Sequence, residues 1–207
     1  MIAGRIAFGL LVAGELIQWV AILAGGAVYP GYDPLRQYIS ELGATGAVTG
    51  WAVSWLGFVP SGVFIAAGCL IAALLVRRSG LAVAGCLMLA WYGMSLSGAG
   101  LYPCAFECVR TDASFNQLMH DLVGGTGYLL APPGVLLVAL WARRGRDPWL
   151  FPLGIVCGIV AGFGFVGLIV DPELGGLVQR ALEVAVTVFL LAFGWSLARV
   201  RPAMVVA

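Results

Sequence analysis

The sequence predicts an all-α polytopic membrane protein, with residues 1–207 forming a single domain of six transmembrane helices. The first observation is composition: 61% of the residues are hydrophobic and 10% are charged, whereas soluble domains carry about 25% charged residues. The second is a mean hydropathy of +1.01. The third is segment length, since a membrane span needs about 20 apolar residues. Such runs occur at 6–28, 51–76, 79–101, 116–141, 150–170 and 177–198.

Arginine predicts the orientation of these spans, because the cytoplasmic ends of membrane helices are enriched in basic residues. One set of ends carries Arg5, Arg77, Arg78, Arg143, Arg144, Arg146, Arg199 and Arg201, and the other carries Arg36, Arg110 and Arg180. We therefore expect a multi-pass protein of the cytoplasmic (inner) membrane with both termini in the cytoplasm. All 11 basic residues are arginine, which together with the Ala, Gly and Val bias indicates a GC-rich bacterial genome.

The first outer loop, 29–50, contains the polar block YDPLRQYISELG. Asp33 and Pro34 form a typical helix start, with a capping carboxylate followed by proline at the first helical position. Gly43 is a typical helix stop. The block therefore predicts a short outer-face helix at about 34–42, on which Gln37, Ser40 and Glu41 share one face.

The Gln-x-x-x-acid spacing of this block recurs in two later predicted spans, the fourth and the sixth. Three of the four glutamines precede an acid by four residues. These pairs are Gln37 with Glu41, Gln117 with Asp121, and Gln179 with Glu183. Each follows an outer loop opened by proline, and internal repeats are common in membrane folds. We therefore predict three degenerate helical hairpins, formed by spans 1–2, 3–4 and 5–6.

Glu15 is the ionisable residue expected deepest in the membrane. It lies ten residues after Arg5, which corresponds to about 15 Å along a helix. Gln18 follows one turn further out on the same face. Ionisable groups at this depth are rare and indicate a functional role. Two interpretations stay open: a protonated Glu15 that bonds to a neighbouring helix, or a residue lining a polar cavity.

His120 is the single histidine of the chain and lies beside Asp121 at the outer end of span four. One interpretation is an interfacial histidine satisfied by water or a carboxylate. The other is a proton carrier or general base. Ser40 occupies the corresponding position of the first copy, so Ser40, His120 and Asp121 are the candidate catalytic residues of an enzyme.

The cysteines and the loops predict a disulfide and no cofactor. Cys104 and Cys108 lie in an outer, oxidising loop, where a local disulfide is expected. A single histidine argues against a histidine-rich metal-dependent lipid hydrolase, and no loop has a recognisable metal-ligand spacing. We find no glycine-rich phosphate loop and no CxxC motif in the sequence. We therefore expect no metal and no cofactor, and the charge of +1 suggests no nucleic-acid partner.

Small residues in span five predict close helix contacts. Gly154, Gly158 and Gly162 are four residues apart, a spacing that lets two helix backbones approach each other. One interpretation is packing inside the bundle, and the other is a homo-oligomer formed through this face.

Three functions remain compatible with these patterns. The first is a polar outer pocket that binds, or also transports, a membrane lipid headgroup or small solute. Its expected ligand-binding residues are Gln37, Glu41, Gln117, His120, Asp121, Gln179 and Glu183, with Glu15 and Gln18 deeper. The second is an enzyme acting on a lipid at the outer leaflet with His120 as general base. The third is a structural partner of another membrane protein. Glu41 reaches the pocket only if its short helix folds inward.

The motifs YDPLRQYISELGA and LYPCAFEC, followed by SFNQLMHDLVGGTGYL, resemble a prokaryotic six-helix membrane family known as domain of unknown function 998. The resemblance is carried by the sequence from Ser40 to Gly43, by Pro103 with Cys104, and by His120. It implies the six-helix fold and supplies no activity. The family places an acid directly after Pro-Cys, whereas here two residues intervene before Glu107.

Overall fold

Six long helices form the protein, which confirms the predicted all-α membrane fold. The structure is a computed structural model that describes residues 2–109, 111–143, 145, 147–170 and 172–199. The helices are α1 (Ile2–Val28), α2 (Gly50–Leu75), α3 (Gly80–Leu101), α4 (Phe115–Ala142), α5 (Leu150–Val170) and α6 (Gly175–Ala198). Each is long and apolar enough to cross a membrane, and each differs from its predicted span by a few residues at most.

The helices pack as a ring in chain order. Each helix contacts the next along the chain, and α6 closes the ring by packing against α1. The three hairpins predicted from the sequence are therefore pairs of neighbouring helices. One end of the ring carries the segments 29–49, 102–114 and 172–174, and we call it the long-loop end. The other carries the turns that join α2 to α3 and α4 to α5, and we call it the short-loop end.

Buried side chains fill the interior of the ring. The largest apolar cluster includes Leu89 of α3, Val135 of α4 and Phe189 of α6. A second cluster at the long-loop end joins Ile22 of α1 and Leu42 to Phe58 of α2. Residues 53–58 of α2 form a π-helical turn, and the proline that follows at position 60 lacks the backbone donor of a regular helix.

The short helix predicted at 34–42 is present only in its second half. Residues 34–36 form a turn and Ile39–Gly43 forms a 3-10 helix. Asp33 does act as a cap, since its Oδ1 accepts the N–H of Leu35 at 2.9 Å. Residues 34–36 do not extend this helix, because the backbone carbonyls of the turn accept hydrogen bonds from the start of α6. The N–H groups of Gly176 and Leu177 donate to the carbonyls of Arg36 and Leu35, at 3.1 and 2.8 Å.

The polar block therefore caps the beginning of α6. The first N–H groups of a helix have no partner within it, and residues 35 and 36 supply carbonyls for two of them. Arg180 holds the same segment, since its guanidinium donates to the hydroxyl of Tyr32 at 2.6 Å and to the carbonyl of Gln37 at 3.2 Å. We refer to residues 32–43 as the capping segment.

Two of the three glycines spaced four residues apart in α5 pack inside the bundle. A Cβ at Gly154 would lie 2.7 Å from the ring of Phe189, and a Cβ at Gly158 would lie 2.6 Å from Leu136. Around Gly162, a Cβ would meet no heavy atom within 4 Å. The glycine spacing thus serves packing against α4 and α6, and a homo-oligomer through this face stays a prediction.

Several residues used to predict the orientation cannot be placed. Arg110, Arg144, Arg146 and Arg201 lie outside the described residues. The described arginines Arg5, Arg77, Arg78, Arg143 and Arg199 lie at the short-loop end.

Candidate functional site

Glu183 is the centre of a buried polar network that joins four helices. Its side chain is 0% exposed. The amide of Gln18 on α1 donates to its Oε2 at 2.7 Å, and the hydroxyl of Tyr128 on α4 donates to its Oε1 at 2.6 Å. The hydroxyl of Tyr92 on α3 also donates to Oε2. Three donors directed at one carboxyl group compensate the loss of water that burial imposes on it.

The network continues from Glu183 to the capping segment. Gln179 donates its amide to the hydroxyl of Tyr128 at 2.8 Å. Its carbonyl oxygen accepts the backbone N–H of Ile39 at 2.7 Å. Tyr128 thus connects Gln179 with Glu183, and Gln179 fastens the 3-10 helix of the capping segment to α6. The predicted pair Gln179 and Glu183 is linked through Tyr128.

The other two predicted pairs are bonded directly. The amide of Gln37 donates to Glu41 at 2.8 Å, and the amide of Gln117 donates to Asp121 at 2.9 Å. Like Gln179, both glutamines accept a loop N–H on their carbonyl oxygen. Gln37 accepts from Asp33 and Gln117 from Ala105, each at 2.8 Å. The recurring glutamine therefore has one structural role in all three copies: it joins a loop to an acid or a tyrosine.

Glu41 closes its own turn. Its Oε1 accepts the backbone N–H of Tyr38 at 2.8 Å, and its Oε2 accepts from Gln37. Burial raises the pKa of Glu41 above its ordinary value of 4.5, and the hydrogen bonds from Tyr38 and Gln37 oppose this rise only in part. The 3-10 helix is therefore stabilised by its own acid.

Glu15 and Thr187 lie at the inner limit of the polar network. The hydroxyl of Thr187 donates to Glu15 Oε2 at 2.5 Å, and the indole N–H of Trp19 donates to Thr187 at 3.0 Å. Within the described part of the chain, Glu15 Oε1 and Gln18 Oε1 have no hydrogen-bond partner. Beyond Glu15 toward the short-loop end, the buried residues of α1 are Gly14, Leu11, Ala7 and Gly4, so apolar packing replaces the polar network there.

A cavity of about 340 Å³ lies at the long-loop end, between α4, α5 and the capping segment. We call it the rim cavity. Its polar wall is formed by Tyr38, Ser40, His120, Asp121, Tyr128 and Gln179, and its apolar wall by Phe165, Leu168 and Ile169. The carbonyl of Tyr102 lies 3.0 Å from Nδ1 of His120. Because a carbonyl can only accept, this contact indicates a proton on Nδ1, and the backbone of Ala99 forms a second hydrogen bond with the ring.

A second, smaller cavity of about 40 Å³ adjoins the rim cavity on the side of Glu183. Its polar lining includes Gln18, Ser95 and Glu183, and it shares Ser40, His120, Gly124, Tyr128 and Gln179 with the rim cavity. A cavity of this size has room for a water molecule beside its few polar groups. The two cavities therefore place most of the predicted site residues around one space, whereas Glu15, Gln37, Glu41 and Gln117 lie outside both linings.

The cysteines of the second long loop lie beside the rim cavity. Cys104 and Cys108 are joined by a disulfide, with an S–S distance of 2.06 Å. Cys108 lines the rim cavity, and its Sγ lies 3.3 Å from Ser40 Oγ. Among the described residues, no hydrogen bond joins Ser40 to His120, although both line the same two cavities.

Comparison with known protein families matches residues 12–196 to the family described as Protein of unknown function (DUF998). The chain belongs to this family. The match includes parts of all six helices of this DUF998 protein and confirms the family resemblance seen in the sequence. No curated protein and no solved structure matches the chain.

Tyr92, Tyr128 and Thr187 are the site residues that the sequence did not reveal. Tyr92 and Tyr128 lie well inside α3 and α4, far from the span ends where tyrosines usually lie. A buried tyrosine hydroxyl needs a hydrogen-bond partner. A tyrosine deep inside a predicted span is therefore the signal that could have indicated a partner such as Glu183.

Proposed function

We propose that this DUF998 protein binds a membrane lipid in the rim cavity. The observation that carries the proposal is the two-sided lining of this cavity. Ser40, His120 and Asp121 provide hydrogen-bonding groups on one side, and Phe165 and Ile169 provide an apolar surface on the other. A lipid has the same division between headgroup and acyl chain. The volume of about 340 Å³ lies within the range of about 300–1,000 Å³ typical of ligand pockets.

The position of the cavity favours a lipid over a soluble molecule. The rim cavity lies between α4 and α5, two helices that cross the membrane. Its apolar wall continues into the exposed face of α5, where Ile169 is 60% exposed, Val166 is 51% exposed and Phe163 is 75% exposed. An acyl chain lying on this face would keep apolar surface in contact with hydrocarbon, while its headgroup enters the polar side.

The polar wall indicates the chemistry of the headgroup. Asp121 contributes a carboxylate, His120 contributes an imidazole ring, and Ser40 contributes a hydroxyl. Phosphate recognition commonly uses arginine, and the lining residues of the described structure include none. Arg180, the nearest arginine along α6, is engaged with Tyr32 and Gln37. The lining therefore favours a headgroup rich in donors, such as an amine or a polyol.

The arginine distribution supports a location for this lipid. With the described arginines Arg5, Arg77, Arg78, Arg143 and Arg199 at the short-loop end, the positive-inside bias supports a cytoplasmic location for that end. In a bacterial cytoplasmic membrane the rim cavity would then open to the outer leaflet. We confine the proposal to binding, because apolar packing follows Glu15 toward the short-loop end.

The experiment uses two matched glycines, one in the cavity wall and one far from it. Gly125 of α4 lines the rim cavity and Gly9 of α1 does not, and a Cβ at either position meets no heavy atom within 4 Å. The variants G125L and G9L would be reconstituted in nanodiscs with phosphatidylethanolamine carrying a photoreactive group in its acyl chain. We expect labelling of peptide 163–170 in the wild type and in G9L, and its loss in G125L.

Equal labelling of both variants would contradict the proposal. A competition series with unlabelled phosphatidylethanolamine, a glycosyl diglyceride and phosphatidylglycerol would test the headgroup. We expect the first two to compete better than the third, since an anionic headgroup would face the carboxylate of Asp121.

Catalysis on the bound lipid is a second candidate, because Ser40, His120 and Asp121 line one cavity. Lipid incubated with the reconstituted protein would be analysed by mass spectrometry, with S40A and H120Q as variants. An enzyme predicts a product that both variants abolish while S40A still binds lipid. A pure binding protein predicts unchanged lipid in every sample.

A further inference from the structure

Three potential metal ligands lie together beside the rim cavity. Sγ of Cys104, Sγ of Cys108 and a ring nitrogen of His120 are all within 4.8 Å of one another. Cys104 is 0% exposed and Cys108 is 8% exposed. The sequence alone does not indicate this group as a metal site, because His120 follows Cys108 by twelve residues. The loop that contains both cysteines folds back onto the first turns of α4, where the side-chain oxygen Oε1 of Gln117 accepts the N–H of Ala105 at 2.8 Å.

The disulfide decides whether these sulfurs can act as ligands. A metal ion binds thiolates, so the bond between Cys104 and Cys108 must first be reduced. A water-soluble phosphine does this by taking an oxygen atom from water and becoming the phosphine oxide. The disulfide receives two electrons and two protons and yields two thiols. Binding of a divalent ion then releases both thiol protons, which leaves two thiolates to balance the charge of the ion.

We propose that the reduced protein binds a Zn²⁺ ion through Cys104, Cys108 and His120. Two thiolates and an imidazole are the donor types that zinc prefers, whereas Mg²⁺ and Ca²⁺ prefer oxygen. Ligand atoms around one tetrahedral zinc lie about 3.5–3.8 Å apart, given the usual metal–ligand bond lengths. The three atoms therefore need only small movements after the S–S bond opens.

The surroundings of His120 and Ser40 support the same site. The contact of His120 Nδ1 with the carbonyl of Tyr102, at 3.0 Å, is the type of hydrogen bond that orients zinc-binding histidines, and it leaves the other ring nitrogen for a metal. Ser40 Oγ lies 3.3 Å from Cys108 Sγ. Three protein ligands leave one position of a tetrahedral ion for water or for this hydroxyl. The zinc site does not depend on which molecule the rim cavity binds.

Co²⁺ is the probe for the test, because tetrahedral cobalt–thiolate sites absorb visible light and show a charge-transfer band. The full-length protein in detergent would be titrated with Co²⁺ after phosphine treatment and removal of excess reductant, with an untreated sample in parallel. We expect one Co²⁺ per chain in the reduced sample, displacement by Zn²⁺ but not by Mg²⁺, and no thiolate band in the untreated sample.

Variants separate this site from the other thiols. Cys69, Cys86 and Cys157 are free and buried, so the double variant C104S/C108S keeps all three. We expect it to lose the cobalt spectrum, H120Q to weaken binding by at least about tenfold, and the control C157S to bind as the wild type does. Thermal midpoints and elution volumes would show that each variant is folded. The spectrum persisting in folded C104S/C108S, or unchanged affinity in folded H120Q, would overturn the proposal.

Discussion

The hydroxyl oxygen of Tyr128 lies 2.6 Å from Glu183 Oε1 and 2.8 Å from Gln179 Nε2. It therefore accepts from the amide and donates to the carboxyl group at the same time. Through Gln179 this bond connects the capping segment to the centre of the helix ring.

Removal of this hydroxyl should destabilise the fold. In Y128F, Gln179 loses an acceptor and Glu183 loses a donor, and each unpaired buried group costs about 1–3 kcal/mol. We expect a lower thermal midpoint in detergent. The control is Y29F, because the hydroxyl of Tyr29 makes no hydrogen bond to any residue that the structure describes. Equal midpoints for the two variants would show that the Tyr128 bridge contributes nothing.

Glu183 should be less replaceable than an exposed acid. In E183Q one carboxyl oxygen becomes an NH₂ group, which cannot accept from Tyr92, Tyr128 or Gln18. The variant retains the size of the side chain, so the effect reports hydrogen bonding, and we expect a loss of about 1–3 kcal/mol. The matched change E107Q is on an exposed side chain and should be neutral. Unfolding in detergent measures both, and a neutral E183Q would contradict the network described here.

The contact between the capping segment and α6 should depend on Gly176. A Cβ at this position would lie 2.6 Å from the carbonyl oxygen of Pro34 and 3.0 Å from the carbonyl carbon of Leu35. We expect G176A to lose about 1–3 kcal/mol of stability through overpacking and to increase proteolysis within residues 32–43. G162A is the control, since its added methyl group meets open space. A proteolysis rate in G176A equal to that of the wild type would contradict close packing of Gly176 against the capping segment.

Glu41 should give the protein a pH dependence of a defined sign. Its pKa in the folded protein is raised above 4.5 by burial, so folding favours the protonated form. The stabilisation is complete below pH 4.5 and is lost as the pH rises through the folded-state pKa. As the pH rises from 4.5 through the folded-state pKa of Glu41, we expect the thermal midpoint of the wild type to fall more than that of E41Q. Parallel curves would assign the pH dependence to other groups.

The sequence predicted the six helices because each span is a long apolar run with few charges. It placed the start of the short helix too early, at residue 34, since the carbonyls of Leu35 and Arg36 have their partners at Gly176 and Leu177, about 140 residues away. Local capping signals at Asp33 and Gly43 could not reveal them. The Gln-x-x-x-acid spacing singled out two pairs that are hydrogen-bonded, Gln37 with Glu41 and Gln117 with Asp121. It could not show that Tyr128 lies between Gln179 and Glu183.

The hydrogen bonds of the three glutamines to loop N–H groups limit which residues can replace these glutamines. A primary amide offers an acceptor and a donor on adjacent atoms, so one side chain receives a proton from the backbone and gives one to an acid or a phenol. Glutamate would present two negative groups to each other at Gln37 and Gln117, and leucine would leave both neighbours unpaired. In each copy the hydrogen bonds therefore run in one direction: the loop N–H donates to the amide oxygen, and the amide NH₂ donates to an acid or a phenol. A carboxylate at the glutamine position could donate only after taking up a proton.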